Sequence, residues 1–533
     1  MAMFFHVAKS ENDIRQAPEV GVFLIHDNWN DWYKFKTMYT LYIVPVSGTI
    51  VNAGSVKIGE RGMTDETESP KVPSEFERLD DSFFSVGQSE DYYETINNFP
   101  GMRESIYLGL RDCAYSPEVF LETMDEYIMG ESLLRSLSVA SVRGRLSRLA
   151  HGNAELTRYS FVYTIPSPGD AGDTELRFEV RPRSTPPTNV HVLIGRNGVG
   201  KTRCLSGMIG AILGSKAPDG SMPGSFRQDN AEDTVPFTNL IAVSFSAFDS
   251  AQPLPENTVG NRVLYSYIGL KQQPLDPAQE SGKPPEVSNG STAHLPKDKA
   301  RLAQELVRSV KSCQEGLRKD RWTKALHTLE TDPLFKEAEI ASLATTVLDG
   351  SWREVISRHF DRLSSGHAIV LLTITRLVEL VEERSLVLID EPEGHLHPPL
   401  LSAFVRALSN LLVQRNGVAI VATHSPVVLQ EVPRSCVWVL GRSKLISRAD
   451  RPNVETFGEN VGVLTREVFG LEVAHSGFHA LIEDAVKDNE GYYEGVIRHF
   501  GSELGAEGRA IARGLCVSWL DETAPESDSE EEA

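Results

Sequence analysis

Apolar and polar positions alternate in two different ways along the chain. Up to about residue 185 the runs are short and strand-like. VGVFLI (20–25), TLYIV (40–44) and GTIVNAGSVKIG (48–59) predict a small antiparallel sheet. Residues 60–75 are polar with proline, hence a loop. Leu121, Met124 and Ile128, then Leu133, Leu134 and Leu137, give 103–149 a helical period. ELTRYSFVYTI (155–165) and TELRFEVRP (174–182) predict two strands around the turn PSPGDAGD. From Asn189 onward, apolar strands alternate with helices, the pattern of a mainly parallel sheet. Two stretches interrupt it: 215–235, rich in Gly, Pro and Asp, and the proline-rich linker 271–296. After the linker, Leu302, Leu306, Val310, Cys313 and Leu317 recur at helical spacing, so a helical insertion is expected over 297–361. It is too short for a coiled-coil arm. The segments expected are a β-rich N-terminal region with helical insertions (1–150), two head segments (151–270 and 362–450) separated by linker and insertion (271–361), a helical C-terminal region (451–520) and an acidic tail (521–533).

Composition narrows the class. Hydrophobic residues at 41% and charged residues at 24% are globular values. No apolar run approaches 18 residues and no signal-peptide h-region opens the chain, so a cytoplasmic protein without membrane contact is expected. Five scattered cysteines contain no CxxC pair, which argues against a zinc ribbon or disulfide framework. A net charge of −21 disfavours whole-molecule attraction to nucleic acid while leaving room for a local basic groove. The basic clusters at Arg143, Arg145 and Arg148 and along Lys297–Lys324 read first as solvated helix faces, and second as contacts for nucleic acid or a partner.

Four motifs carry chemistry. GRNGVGKT comprises Gly195, Arg196, Asn197, Gly198, Val199, Gly200, Lys201 and Thr202 and fits G-x-x-x-x-G-K-[ST] in full. It lies between a buried-strand run (VHVLI, 190–194) and a helical stretch. Such a loop wraps phosphates with backbone amides; Lys201 reaches the β/γ-phosphates and the Thr202 hydroxyl ligates Mg²⁺. SLVLIDEPEGHLHP (385–398) delivers Asp390 to a strand end as Mg²⁺ partner and Glu391 beside it as general base. VAIVATHSP (418–426) ends a further strand at His424, placed for a γ-phosphate or the attacking water. LSSGH (363–367) opens an apolar helix with Ser364, Ser365 and Gly366, a candidate phosphate cap. His395, His397 and His424 also have ligand character, although turn positioning is the plainer role for the first two.

In this order the motifs resemble the ABC-type ATPase heads. DEPEGHLHP and THSP look like the RecF/OLD/SMC-like branch rather than transporter subunits. The resemblance covers about 189–440. It implies an α/β fold: an ABC-type P-loop NTPase head with a mainly parallel sheet and an antiparallel β subdomain, here with a helical insertion and the β-rich N-terminal region. It implies ATP and Mg²⁺ as ligands, with Glu391 as base and His424 as switch. It also implies a homodimer, open to higher oligomers, in which Ser364, Ser365 and Gly366 complete the partner subunit's site. Two departures stand out: Ser365 and His367 replace the family's Gly and Gln in the signature, and the Q-loop glutamine is missing, with Ser246 or Asp249 as stand-ins. The chain further resembles ATPase subunits of bacterial antiphage systems of the Septu, retron-associated and PARIS kinds. That implies a separate nuclease or toxin protein, because residues 441–533 lack the DxD of an appended Toprim nuclease. The alternative is a RecF-like DNA-repair ATPase that binds DNA directly; a transporter's energising subunit fits least.

Overall fold

The computed structural model describes residues 4–523 except 17–19, 28–34, 46–47, 65, 153–155, 167–171, 229–236, 247–252, 256–257, 261–262, 274–295, 315–316, 348–349, 444–445, 474–476 and 502. Most of the linker 271–296, the centre of the PSPGDAGD turn, Asp249 and the end of the acidic tail therefore lie outside the described residues.

The N-terminal strands are β1 (Phe5–Ala8), β2 (Gly21–His26), β3 (Met38–Val44), β4 (Val51–Glu60), β5 (Glu75–Phe76) and β6 (Phe83–Gly87). They form one sheet in the order β5-β1-β2-β3-β4-β6. The small antiparallel sheet expected from the sequence is thus a six-stranded mixed one, because β1 joins β2 in parallel. A four-residue strand gives too short a pattern to read. Short helices and two π-helical turns (Met129–Leu133 and Val142–Leu146) cover the sheet where periodicity suggested helix. Of the apolar positions that gave this period, Ile128, Leu133 and Leu137 join the core beside Phe84, Tyr92, Tyr107 and Leu146, whereas Leu121 and Met124 remain exposed.

Next come β7 (Tyr159–Ile165), β8 (Thr174–Val180), β9 (Val190–Ile194) and β10 (Ser225–Gln228). β7, β8 and β10 form an antiparallel sheet in the order β10-β7-β8. β9 instead enters the head sheet with β11 (Asn239–Ser244), β12 (Val259–Gly260), β13 (Val263–Gly269), β14 (Leu386–Asp390), β15 (Val418–Thr423), β16 (Val437–Ser443) and β17 (Ile446–Asp450). The order is β12-β13-β11-β14-β15-β9-β16-β17. The six inner strands run parallel and the two edges pair antiparallel. β9, β14 and β15 are almost continuously apolar because helices cover both faces of a parallel sheet. Parallel strands also bring their C-terminal ends to one edge, where ligands bind in such folds.

Packed into β9 is His191, 1% exposed, with its ring edge-on to Phe178. Burial, with help from Arg451, pushes this imidazole down to about 3 from its ordinary 6.5. The folded state therefore favours the neutral ring. Its contribution to stability is complete above pH 6.5 and is lost as pH falls toward 3. His191→Phe is expected to lower the acid-unfolding midpoint by removing about 1.4 kcal/mol per pH unit across that window. A variant unfolding at the wild-type pH would refute this origin of acid sensitivity.

The insertion is compact. Asp298 caps the helix Lys299–Cys313, accepting from the Arg301 N–H at 2.8 Å, and Leu302, Leu306, Val310 and Cys313 form its buried stripe. With Arg318–Leu329 it packs on Ser365–Leu380, where Trp322 Nε1 donates to Thr375 Oγ1 at 3.1 Å. All five cysteines are buried and unbridged. Residues 1–451 with 455–458 form one compact unit, and 452–454 with 459–533 a second. Within the second unit, Phe478–Asp488, Tyr493–His499 and Ala506–Thr523 bury Ile482, Val486, Val496 and Ala512. No described helix is long and apolar enough to cross a membrane.

Candidate functional site

The loop after β9 has the conformation its glycines permit. Gly198 and Gly200 take φ of 81° and 102°, which side chains with a Cβ adopt only with strain. A Cβ on Gly195 would lie 2.3 Å from the Leu440 carbonyl oxygen, so the chain must be bare where it leaves the sheet. Arg196, Asn197 and Gly198 form the exposed crest, and Val199 packs inward on the head core. Helix Lys201–Leu213 starts at once, so its free amides face the loop's concavity. Lys201 is 4% exposed; its Nζ donates to the carbonyls of Gly195 (3.0 Å) and Arg196 (3.1 Å) and lies 4.0 Å from Glu391 Oε1.

Asp390 ends β14, opposite Ser244 of β11 and Ala422 of β15. Thr202, Ser244 and Asp390 line one cavity with Ser206 and Lys271. Hydroxyl and carboxylate groups lining one cavity suit a hard cation such as Mg²⁺. Glu391 sits at φ 44°, a left-handed conformation unusual for a residue with a side chain, and its N–H donates to Ala422 O at 2.9 Å. Its carboxylate is 3.9 Å from His424 Nδ1.

One residue of this cluster had no role in the sequence reading. Glu393, in the turn Pro392–His395, accepts at Oε1 from the Thr423 hydroxyl and the His424 N–H, both at 2.6 Å. The His424 ring lies 3.0 Å from the same oxygen. Glu393 thus holds the end of β15 and orients His424. The second acid of DEPE was the available signal, but only the fold shows what it touches.

Ser364, Ser365 and Gly366 stand elsewhere. Ser364 is the N-cap of Ser365–Leu380; its Oγ accepts from the His367 N–H and lies 2.7 Å from His367 Nδ1. That helix packs on the insertion and on Pro398–Arg415. Among the described residues no hydrogen bond or ion pair joins Ser364, Ser365 or Gly366 to the P-loop. Ser246 follows β11, its N–H donating to Ser244 Oγ at 3.3 Å. His397 turns to Asp332 and His367, whereas His424 turns to Glu391 and Glu393, so the structure does not join them in one ligand set; the His395 side chain lies outside the description.

Several predicted basic residues are tied into ion pairs. Arg145 and Arg148 meet Glu383 at 2.9 and 2.7 Å, Arg318 meets Asp91 at 3.4 Å, and Arg321 also pairs with Asp91. Lys297 pairs with Glu305 at 2.8 Å.

Strand order, P-loop and the adjacent Asp390–Glu391 pair define an ATPase head of the ABC type. The chain belongs to the family of Protein ea59 of Escherichia phage lambda, to which it is 39% identical over 523 residues, 93% of this chain and 95% of the relative. Residues 297–430 match the family described as "AAA domain, putative AbiEii toxin, Type IV TA system". Two solved structures overlap it at 13% identity. One is an inward-facing metal-chelate type ABC transporter (59% of this chain, 90% of that one, TM-score 0.29). The other is the ADP conformation of an ATP-binding cassette of an ABC transporter (52% and 85%, TM-score 0.25). At those scores the assignment rests on strand order and motifs rather than on the overlaps.

Proposed function

We propose that the chain binds and hydrolyses ATP with Mg²⁺ and works as the regulatory ATPase of a complex whose output lies in a separate nuclease or toxin. The observation that carries the catalytic part is the meeting of Lys201, Glu391 and His424 at one sheet edge, with Thr202 and Asp390 lining one cavity. The P-loop amides and Lys201 bind the phosphates. Thr202 and Asp390 would hold Mg²⁺, which would supply charge neutralisation at the phosphate oxygens. Glu391 takes the proton of the attacking water, and His424, oriented by Glu393, donates a hydrogen bond toward the terminal phosphate. Ser364, Ser365 and Gly366 serve a second copy's nucleotide, which makes a homodimer the working form.

The regulatory role in antiphage defence rests on the motif resemblance alone; the description of the matching family names a putative toxin and does not speak to a separate effector. Direct DNA binding gains nothing from Arg145, Arg318 or Arg321, which are spent on buried carboxylates. Lys201→Ala is expected to weaken nucleotide binding about 10- to 100-fold, the worth of one charge-assisted hydrogen bond. Calorimetric titration with a non-hydrolysable ATP analogue measures it, and wild-type affinity would sink the assignment. Neighbouring genes lacking any nuclease or toxin would count against the regulatory role alone.

A further inference from the structure

We propose that Asp332, His367 and His397 form a second metal site, for a first-row transition ion of the zinc type, separate from the Mg²⁺ site. The three come from distant parts of the sequence. Asp332 follows the insertion helix Arg318–Leu329, His367 lies in the first turn of Ser365–Leu380, and His397 caps Pro398–Arg415. One ligand atom from each lies within 4.8 Å of the others, the only such group of three among the described residues. A zinc ion bound at about 2.0–2.2 Å from each ligand requires separations of this order.

The Asp332 carboxylate carries the argument. It is 1% exposed. Oδ1 is fully engaged: it accepts from the N–H groups of Leu334 (3.0 Å) and Phe335 (3.3 Å) and lies 3.1 Å from His367 Nε2. Oδ2 is buried without a hydrogen-bond partner, and His397 Nε2 lies 3.5 Å from it. A buried carboxylate oxygen left in this state is costly unless something positive reaches it. His367 has the outer-sphere support usual for a metal-bound imidazole. Its Nδ1 sits 2.7 Å from Ser364 Oγ, which fixes the ring and leaves Nε2 for the ion.

Two imidazoles and one carboxylate favour zinc-like ions over Mg²⁺, which prefers oxygen ligands. The His397 side chain is 46% exposed, so ions can enter from that side and a water can fill the fourth position. Binding moves the His397 proton from Nε2 to Nδ1. The long 3.3 Å capping contact from the Leu400 N–H is then exchanged for the metal bond. The competing arrangement is a proton in place of the metal, with His397 Nε2–H donating to Oδ2 across 3.5 Å. An occupied site would pin the insertion and the turn after Asp390–Glu391 to the helix Ser365–Leu380. This inference does not depend on ATP hydrolysis.

The test is zinc titration of the chelator-treated full-length chain without nucleotide, read by elemental analysis after desalting and by the visible absorption of bound Co²⁺. One ion per chain is expected, with a Co²⁺ spectrum of low coordination number. His397→Gln is expected to weaken binding by about tenfold or more. Because Asp332 also caps the short helix Pro333–Glu337, His397→Gln is the decisive variant and its circular dichroism should match the wild type. No stoichiometric uptake, or equal uptake by His397→Gln, would overturn the site in favour of the proton-sharing arrangement.

Discussion

Glu391→Gln should slow ATP turnover by about two to four orders of magnitude, the usual contribution of a positioned general base, while nucleotide affinity stays at or above the wild-type level. The amide matches the carboxylate in shape but cannot take a proton. Glu391 is the only acid within 4.0 Å of both the Lys201 ammonium and the His424 ring among the described residues. Glu393 differs in that its carboxylate is 7% exposed and its Oε1 already serves Thr423 and His424. The left-handed backbone at Glu391 and its N–H bond to Ala422 hold the side chain at the strand end. Steady-state phosphate release beside equilibrium binding separates the two effects. Unchanged turnover would remove Glu391 from the mechanism. Reduced binding with proportionate turnover would make it a ligand-positioning group.

Arg415→Ala is expected to destabilise the larger unit by about 3–5 kcal/mol, the cost of leaving a buried charge pair half-made. Arg415 ends Pro398–Arg415 and is 3% exposed. Its NH2 group lies 2.9 Å from Glu90 Oε2 and its NH1 3.1 Å from Glu94 Oε1, both on the N-terminal helix Glu90–Asn97. Burial opposes the Arg415 charge, but the Glu90 and Glu94 carboxylates outweigh it and raise the guanidinium's pKa. Burial also opposes the Asp91 charge, which Arg321, Arg415 and Arg318 more than offset, so that carboxyl is held below its ordinary value. Removing Arg415 leaves Glu90, 1% exposed, with the Glu383 N–H donating to its Oε1 and with Arg145 at 3.5 Å from its Oε2. Urea unfolding followed by tryptophan fluorescence and circular dichroism measures the loss. Arg415→Lys should recover part of it, since an ammonium keeps the charge and loses the two-pronged geometry. A loss below 1 kcal/mol would mean that the network is solvated and of little weight.

This network shows where sequence reading ran short. Arg145, Arg318 and Arg321 sit in basic clusters whose plainest reading is a wet helix face, and no local pattern links them to Glu90 or Asp91 more than 50 residues away. The head strands were legible for the opposite reason. A strand covered on both faces must be apolar throughout, so VHVLI, LVLI and VAIVA announce themselves within a few residues. The short β1 has no such local signature and is specified by its neighbours; after residue 100 the helical period was legible, but not where the helices break.

The sequence by itself determined the phosphate loop, because a conformation needing φ above zero at Gly198 and Gly200 and a bare Cα at Gly195 can be written only in glycine. It also placed Asp390, Glu391 and His424 at strand ends. Tertiary structure alone decided that β15 lies between β9 and β14, and so brought His424 to Glu391. It alone gave Glu393 its work and set Asp332 beside His367 and His397. The reason is physical: local backbone demands are met by neighbouring residues, while contacts between groups far apart in the chain exist only once the sheet order and helix packing are formed.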